Sequence, residues 1–488
     1  MSTLPLLWYT SRTPTEVGQR SCAMERFLGY HAGPHGTGYS RKSLSIPLAT
    51  GSNVHLGAEL LAGWIMEYQT KHHGLPPQSL PAEVIAWAAS ETAARYEAKA
   101  RAKGFNETGL ESVGSNLPPG QLPSAVETLI LEQRTLIEAQ VWIYALLYLP
   151  TVMTRYRLLD AEHEESYVLD CTCGLGDGFG DWTVHQQRGC AGIVQQGRAD
   201  VLWEGYADDV RGQIIYDEMK TKATQNAPWE KAWEHSGQLL VNMETAARRL
   251  GKRITAAHIV VLFKGWRGRD KGDPPEVPKY QHSVLTYGYN DPGADGLRPS
   301  AWAAKYRWTD EYGKGHTLPR TYQKQPVWDI QIALPDTGVT VPREGSSRVE
   351  RWVTQYISND QWPDLLKVLG PFPHPAARVP LALQAIQAEE RRWRDDVDYI
   401  RTEVAKGVQE WQAADAIIPR SWQCTKFGGD PCAFKRVCDR EPGWEDLLGM
   451  GHYQIRRPHH ESERIAYEQA GVVFPVDEDD AEFDEIDL

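Results

Sequence analysis

A basic excess is missing from this sequence. Its 52 lysines and arginines stand against 65 acids, for a formal net charge of −13. That balance argues against a surface built throughout for a polyanion, but the deficit is unevenly placed. The ending DEDDAEFDEIDL carries eight acids and no base, so −5 of the −13 belongs to the rest of the chain. The ending reads as a disordered, solubilising tail, and nucleic acid stays open as a partner. Long apolar runs are scarce too. The start, MSTLPLLWYTSRTPTE, has no basic region ahead of an apolar one. The longest apolar run, VWIYALLYLPTVM, reads as too short to span a bilayer. Both features point to a soluble protein of the cytoplasm with no membrane partner. Cysteine is sparse and odd in number, at seven, and without an export signal a disulfide framework is not expected. No internal repeat is visible.

What is present is a chain of 488 residues, 41% hydrophobic and 24% charged, enough for two to four domains or one core with large insertions. Apolar residues recur at helical spacing from Leu56 to about His72, from Pro81 to about Lys103 and from Ser124 to Tyr148, where Ser124 and Glu127 form a potential capping box. After Arg155 the pattern changes to the short strand-like runs YVLDC, GIVQQGRADVLWE, QIIYDEMKT and AHIVVLFKG. Between the last two, PWEKAWEHSGQLLVNMETAARRLG reads as a helix ending in a C-cap glycine. This order predicts a mixed α/β core. The divisions expected are a helical region over 1–150, a core over 151–265, an irregular basic and aromatic insertion over 266–350, C-terminal helices and cysteines over 351–445, and an extension with the acidic tail over 446–488.

The run IIYDEMKTKAT ends in closely spaced acids and lysines. On a strand, Glu218 and Lys220 share one face while Asp217 and Met219 share the other. Such a pair is either a surface ion pair or a metal ligand beside a working ammonium. Upstream, GRADVLWEG places Asp200 after a glycine-containing turn at the start of another strand, and antiparallel pairing would bring it to Glu218. Paired carboxylates suit Mg²⁺ or Mn²⁺. Lys220 beside them would orient a water or stabilise charge in a transition state. His55, in GSNVHLGAELL, is expected at a helix start with Glu59 one turn later, as a further ligand or an ordinary capping or core histidine. Gln238, on the helix after the Glu-x-Lys strand, could bind substrate or the lysine.

The ordered set His55, GRAD with Asp200, EMK with Glu218 and Lys220, and the helix bearing Gln238 resembles the RecB-like branch of the PD-(D/E)XK nuclease superfamily, over roughly residues 15–265 and again at the C-terminal cysteines. The resemblance implies a restriction-endonuclease-like fold: a mixed sheet flanked by helices, with a helical N-terminal region and a C-terminal iron-sulfur staple. It implies a metal-dependent deoxyribonuclease, an exonuclease or end-processing enzyme on single strands or resected ends. His55, Asp200 and Glu218 would hold Mg²⁺ or Mn²⁺, Lys220 would position the attacking water, and Gln238 would support. In the iron-sulfur members, the CRISPR-associated and AddB-type nucleases, one cysteine precedes the core and three follow it. By that analogy Cys22, Cys424, Cys432 and Cys438 would ligate a [4Fe-4S] cluster. Two features depart from the family: seven residues separate Cys424 from Cys432 where two are usual, and Asn242 stands where a tyrosine is common. Partners implied are DNA and recombination or repair proteins, in a bacterial or phage-infected cell.

Alternatives stay open. Tetrahedral zinc also accepts four thiolates, and a protein of this fold can bind DNA without cutting it. A second zinc site from Cys171, Cys173, His185 and Cys190 is conceivable, but one residue between two ligands is tight, so these three cysteines are left as unassigned thiols. For nucleic-acid contacts the expected residues are Arg298, Lys305, Arg307, Trp308, Arg320 and Tyr322, cations interleaved with aromatics as single-strand binding requires. A solvated loop with its aromatics packed inward is the competing reading.

Overall fold

The computed structural model describes residues 7–11, 22–41, 46–103, 124–175, 182–222, 227–263, 366–418, 434–438, 440, 453–458 and 460–474, together with the short strand segments 266–268, 280–282, 307–309 and 315–317. The strands are β1 (Trp8–Ser11), β2 (Tyr39–Arg41), β3 (Tyr156–Asp170), β4 (Ile193–Gly205), β5 (Ile214–Lys222), β6 (Ala256–Phe263), β7 (Trp266–Gly268), β8 (Tyr280–His282), β9 (Arg307–Thr309), β10 (Gly315–Thr317), β11 (Leu366–Pro373) and β12 (Tyr453–Ile455). The helices used below are α1 (Ala23–Tyr30), α2 (Ile46–Lys71), α3 (Ala82–Lys103), α4 (Ser124–Ile143), α5 (Leu149–Met153), α6 (Trp182–Gln187), α7 (Ala227–Ala232), α8 (Gly237–Leu250), α9 (Val379–Ala405), α10 (Glu410–Ile417) and α11 (Lys435–Cys438).

Six strands make one sheet in the order β1-β4-β5-β6-β11, with β3 also paired to β4. It is mixed: β1 to β4 and β5 to β6 run parallel, while β3 to β4, β4 to β5 and β6 to β11 run antiparallel. The expected mixed α/β core is therefore what forms. Its sheet also recruits β1 and β11, far outside 151–265. β6 reads as a nearly unbroken apolar run, and β5 opens on one, because both faces are covered. On one face Val201, Trp203, Ile215, Met219, Val260 and Leu262 pack against α2, α3 and α4. On the other, Leu202, Tyr216, Ile259 and Val261 pack against Leu239, Met243 and Ala246 of α8.

Several elements differ from the sequence reading. The apolar run around residue 148 belongs to a continuous helical stretch, Gln133–Met153, of 21 residues, which is long and apolar enough to cross a membrane by length and composition. It is instead a core helix, 72% of its most apolar window lying inside the fold, and it carries a π turn at Tyr144–Tyr148. The single helix read over 228–251 is two. α7 and a 3₁₀ turn stop at Ser236, whose hydroxyl oxygen accepts the Leu239 N–H at 3.3 Å and so caps α8. α8 ends as expected, at Gly251 with φ +59°. The helical spacing from about Ala382 to Ala416 predicts one long helix, but it breaks at Gly407, φ +94°, between α9 and α10. β3 begins at Tyr156, eleven residues before the run YVLDC suggests.

The two ends of the chain meet. β2 pairs antiparallel with β12. Arg26 of α1 donates to both carboxylate oxygens of Glu390 on α9, at 3.0 and 2.8 Å, and Trp8 Nε1–H donates to the same group at 3.1 Å.

Candidate metal centre

β4 is the strand around which the site forms. β3 pairs along one of its edges, from Ile193 to Gly205. The opposite edge is shared by β1, at Ile193–Gln196, and β5, at Val201–Glu204. Among the described residues, Gly197 to Asp200 have no strand partner on that second edge. GRAD is thus the middle of a strand, and not the turn expected from its glycine. Gly197 serves a different need: a Cβ there would lie 3.1 Å from Asn242 Oδ1 and 3.5 Å from Thr245 Oγ1, so its absence lets α8 approach β4 closely.

Where the ladder between β4 and β5 stops at Val201 and Asp217, the next outward N–H, that of Met219, donates to Asp200 Oδ2 at 2.7 Å. A carboxylate has taken the place of a ladder carbonyl. Asp200 and Glu218 are neighbours on adjacent antiparallel strands, in the arrangement anticipated from sequence. Glu218 and Lys220 do share a face of β5, where the lysine ammonium donates to the glutamate. Asp217 and Met219 take the other face. There buried Asp217 accepts from Tyr148 Oη and from Trp203 Nε1 at 2.7 Å, with His258 Nδ1 at 3.2 Å.

His55 sits in the middle of α2 and not at a helix start. Its Nδ1 lies 3.7 Å from Asp200 Oδ2 and 3.4 Å from Glu162 Oε1. Ligand atoms of His55, Glu162 and Asp200 all fall within 4.8 Å of one another, a group able to hold a metal ion. Glu162 is the residue that sequence reasoning missed. It lies in β3 with φ +50°, a left-handed conformation costly to a residue with a Cβ. The kink turns its side chain out of the β3 alternation toward His55 and Arg198, whose Nε stands 2.5 Å from Glu162 Oε2. The sequence signal was weak because DAEHEES has no strand pattern.

Glu218 is held by other groups. It accepts from Tyr216 Oη, from Lys220, from Gln238 Nε2 at 3.0 Å and from Asn242 Nδ2 at 3.3 Å. Gln238 therefore reaches the site through this glutamate. Asn242 secures Tyr216 as well, at 3.1 Å.

The electrostatics follow from burial and crowding. Burial, and after it the charge of Glu218, pushes the Asp200 carboxyl up to about 7. Burial draws His55 down, but Asp200 and Glu162 outweigh it and bring the imidazole up to about 9. Burial would raise Glu162, yet its hydrogen bond with His55 and the Arg198 charge hold it below the usual carboxylate range. Burial disfavours the Lys220 ammonium, but Glu218 and Asp200 outweigh that and keep it protonated. A divalent cation suits such a set: two carboxylates are hard oxygen donors, the imidazole nitrogen is a borderline one that Mn²⁺ accepts, and a cation would relieve the repulsion that raises Asp200.

The cysteines separate into two groups. Cys22 precedes α1 and Cys438 ends α11; both are buried, neither is in a disulfide, and both belong to one apolar cluster with Met24, Phe27 and Trp393. A cavity of about 200 Å³ is lined by Cys438, Met24, Phe27 and Val437. Cys424 and Cys432 lie outside the described residues. The second group corrects the sequence reading. Cys171, Cys173, His185 and Cys190 have ligand atoms within 4.8 Å of one another and form a group able to bind a metal ion. The tight spacing of Cys171 and Cys173 is accommodated because both thiols point to one centre from the end of β3. Burial tends to raise the Cys190 thiol, but hydrogen bonds from Thr172, His185 and the backbone of Gly192 outweigh it and bring it down to about 6.

Of the residues expected to touch nucleic acid, Arg307 and Trp308 lie on β9, which forms a hairpin with β10. Arg298, Lys305, Arg320 and Tyr322 lie outside the described residues, as does the acidic ending. The chain matches no protein-family model and no curated protein.

Proposed function

We propose that this chain is a metal-dependent deoxyribonuclease of the PD-(D/E)XK type on a restriction-endonuclease-like sheet, acting on single-stranded DNA or DNA ends. The observation that carries the reading is the convergence of His55, Glu162 and Asp200 beside Glu218 and Lys220. The histidine and the two carboxylates fit Mg²⁺ or Mn²⁺, which when bound would neutralise phosphate charge and make a water easier to ionise. His55 Nδ1, Glu162 and Asp200 would hold the ion, with Glu218 adjoining. Lys220, kept as an ammonium by its acidic neighbours, donates a hydrogen bond toward the phosphate or the attacking water and stabilises negative charge developing there. Glu218 fixes Lys220 and is itself fixed by Tyr216, Gln238 and Asn242. Buried Cys22 and Cys438 fit two positions of a [4Fe-4S] staple completed by Cys424 and Cys432, whose role would be to hold the chain ends together. DNA and proteins of recombination or repair would be the partners.

The test is end-labelled single-stranded DNA incubated with wild type and with Lys220→Ala, with and without Mn²⁺. Cleavage by wild type alone, and only with metal, is expected. Binding without cleavage by both proteins under every metal would replace this reading with that of a DNA-binding scaffold.

A further inference from the structure

We infer that Cys171, Cys173, His185 and Cys190 form a structural zinc site that fastens the end of β3 to the start of β4. This stands apart from the nuclease reading and from the Cys22 and Cys438 pair. The distances choose the metal. Zinc bonded at ~2.3 Å to sulfur and ~2.05 Å to nitrogen in a tetrahedron sets its sulfurs roughly 3.8 Å apart and sulfur to nitrogen roughly 3.6 Å apart. Cys171 Sγ and Cys173 Sγ are 3.6 Å apart, and His185 Nδ1 is 3.6 Å from the first and 3.5 Å from the second. All four ligand atoms lie within 4.8 Å of one another. An iron-sulfur cube binds each cysteine at a different corner and spreads its thiolates across the width of the cluster, for which this site has no room.

The surroundings are those of a thiolate site. The Thr172 N–H points at Cys190 Sγ at 3.4 Å and the Thr172 hydroxyl lies 3.6 Å from it. That hydroxyl is oriented by the Ala191 N–H at 2.8 Å. N–H donors aimed at sulfur stabilise the anionic ligand that zinc requires. His185 and Cys190 are buried, at 6% and 0% exposure. The backbone turns that deliver the ligands are built in. Gly174 and Gly189 take φ of +81° and +66°, and the Cys190 N–H closes onto the His185 carbonyl at 2.9 Å. Gly192, two residues on, leaves room behind the site, since a Cβ there would stand 1.7 Å from the Asp170 carbonyl oxygen and 3.2 Å from Cys190 Sγ. Four protein ligands fill the tetrahedron, so no position remains for substrate and the role is structural. The Gly192 carbonyl also accepts the Trp8 N–H at 2.9 Å, so the same anchor supports β1.

The test uses the full chain purified under reductant, its metals counted by plasma mass spectrometry, with Co²⁺ then exchanged in as a spectroscopic probe. One zinc per chain is expected, and Co²⁺ should give thiolate charge-transfer bands and the intense visible bands of a tetrahedral S₃N site. The double variant Cys171→Ser with Cys173→Ser should lose that equivalent, while Cys22→Ser keeps it. His185→Cys guards against misfolding of the double variant: it should retain metal with the cobalt bands moved toward those of an S₄ site. A wild type that holds no zinc and takes up no tetrahedral Co²⁺ would overturn the assignment. So would a double variant that keeps its zinc, or cobalt bands unmoved in His185→Cys.

Discussion

Asp200→Asn should make the metal-free protein more stable at pH 8 and remove its response to Mn²⁺. The Asp200 carboxyl titrates at about 7 in the fold against 3.8 as its ordinary value. Between those values the folded state holds a proton that the unfolded chain has released. Stability from this group is therefore complete below about pH 4 and is lost as pH rises through 7. Three pKa units correspond to roughly 4 kcal/mol. Because His55 opposes part of this rise in the fold, about half that size is the expected gain for asparagine at pH 8, with almost none at pH 4. Asparagine keeps an oxygen for the Met219 N–H, so the comparison isolates charge. Mn²⁺ should invert the order. A ligand at 100 times its dissociation constant stabilises the fold by ~2.7 kcal/mol, which wild type gains and the variant forgoes. Denaturation curves at both pH values, in chelator and in Mn²⁺, measure all four cases. Wild type matching or exceeding the variant in chelator at pH 8, or equal Mn²⁺ stabilisation of both, would refute the idea that Asp200 is a crowded carboxylate awaiting a cation.

Other residues make separate predictions. Glu162→Gln should weaken Mn²⁺ binding by at least about tenfold by calorimetry, and unchanged affinity would remove Glu162 from the site. Because His55 titrates at about 9 and must be neutral to ligate, Mn²⁺ binding near pH 8 should release protons; enthalpies that do not vary with buffer ionisation would contradict this. Asp217→Ala should destabilise the fold by roughly 3 kcal/mol or more, since Tyr148 and Trp203 lose a buried acceptor, while leaving Mn²⁺ affinity unchanged because Asp217 faces away from the site. Glu390→Ala should cost about 3–5 kcal/mol by leaving buried Arg26 unpaired, seen as a lower urea midpoint.

The legible part of this molecule is what a period can carry. β4, β5 and β6 are apolar enough to be located, and the alternation along β5 places Glu218 and Lys220 together and Asp217 opposite. β3 was legible only in its last residues. Its first two thirds run through DAEHEES, whose acids bond to Arg198, Arg249 and His460, partners distant in sequence. Glu162 follows from the same cause: its position depends on a left-handed backbone kink, and DAEHEES contains no glycine to mark one. Cys171, Cys173, His185 and Cys190 were legible as a conceivable zinc site but set aside for the tight spacing, since the meeting of Cys171 with Cys190 depends on β3 and β4 pairing with Asp170 opposite Ile193.

The end of the β4–β5 ladder explains why charge gathers at that point. A continuous sheet offers each backbone group a partner and presents carboxylates only as side chains on a face, where α2 and α8 would bury them unpaired at a cost of several kcal/mol each. The β4–β5 ladder ends at Val201 and Asp217, and the Asp200 carboxylate satisfies the next outward N–H, that of Met219. Beside it His55, from α2, reaches both Asp200 and Glu162. The left-handed turn at Glu162 costs roughly 1–3 kcal/mol, and burial raises Asp200, so the metal-free arrangement is locally unfavourable on two counts. A divalent cation among the three ligands would relieve the charge at Asp200 and offset the strain at Glu162. The stability of this fold should therefore depend more steeply on Mn²⁺ than on ionic strength: salt screens exposed pairs such as Arg155 with Asp209, but it screens weakly a site whose three ligands are mostly buried and does not replace a coordinated cation.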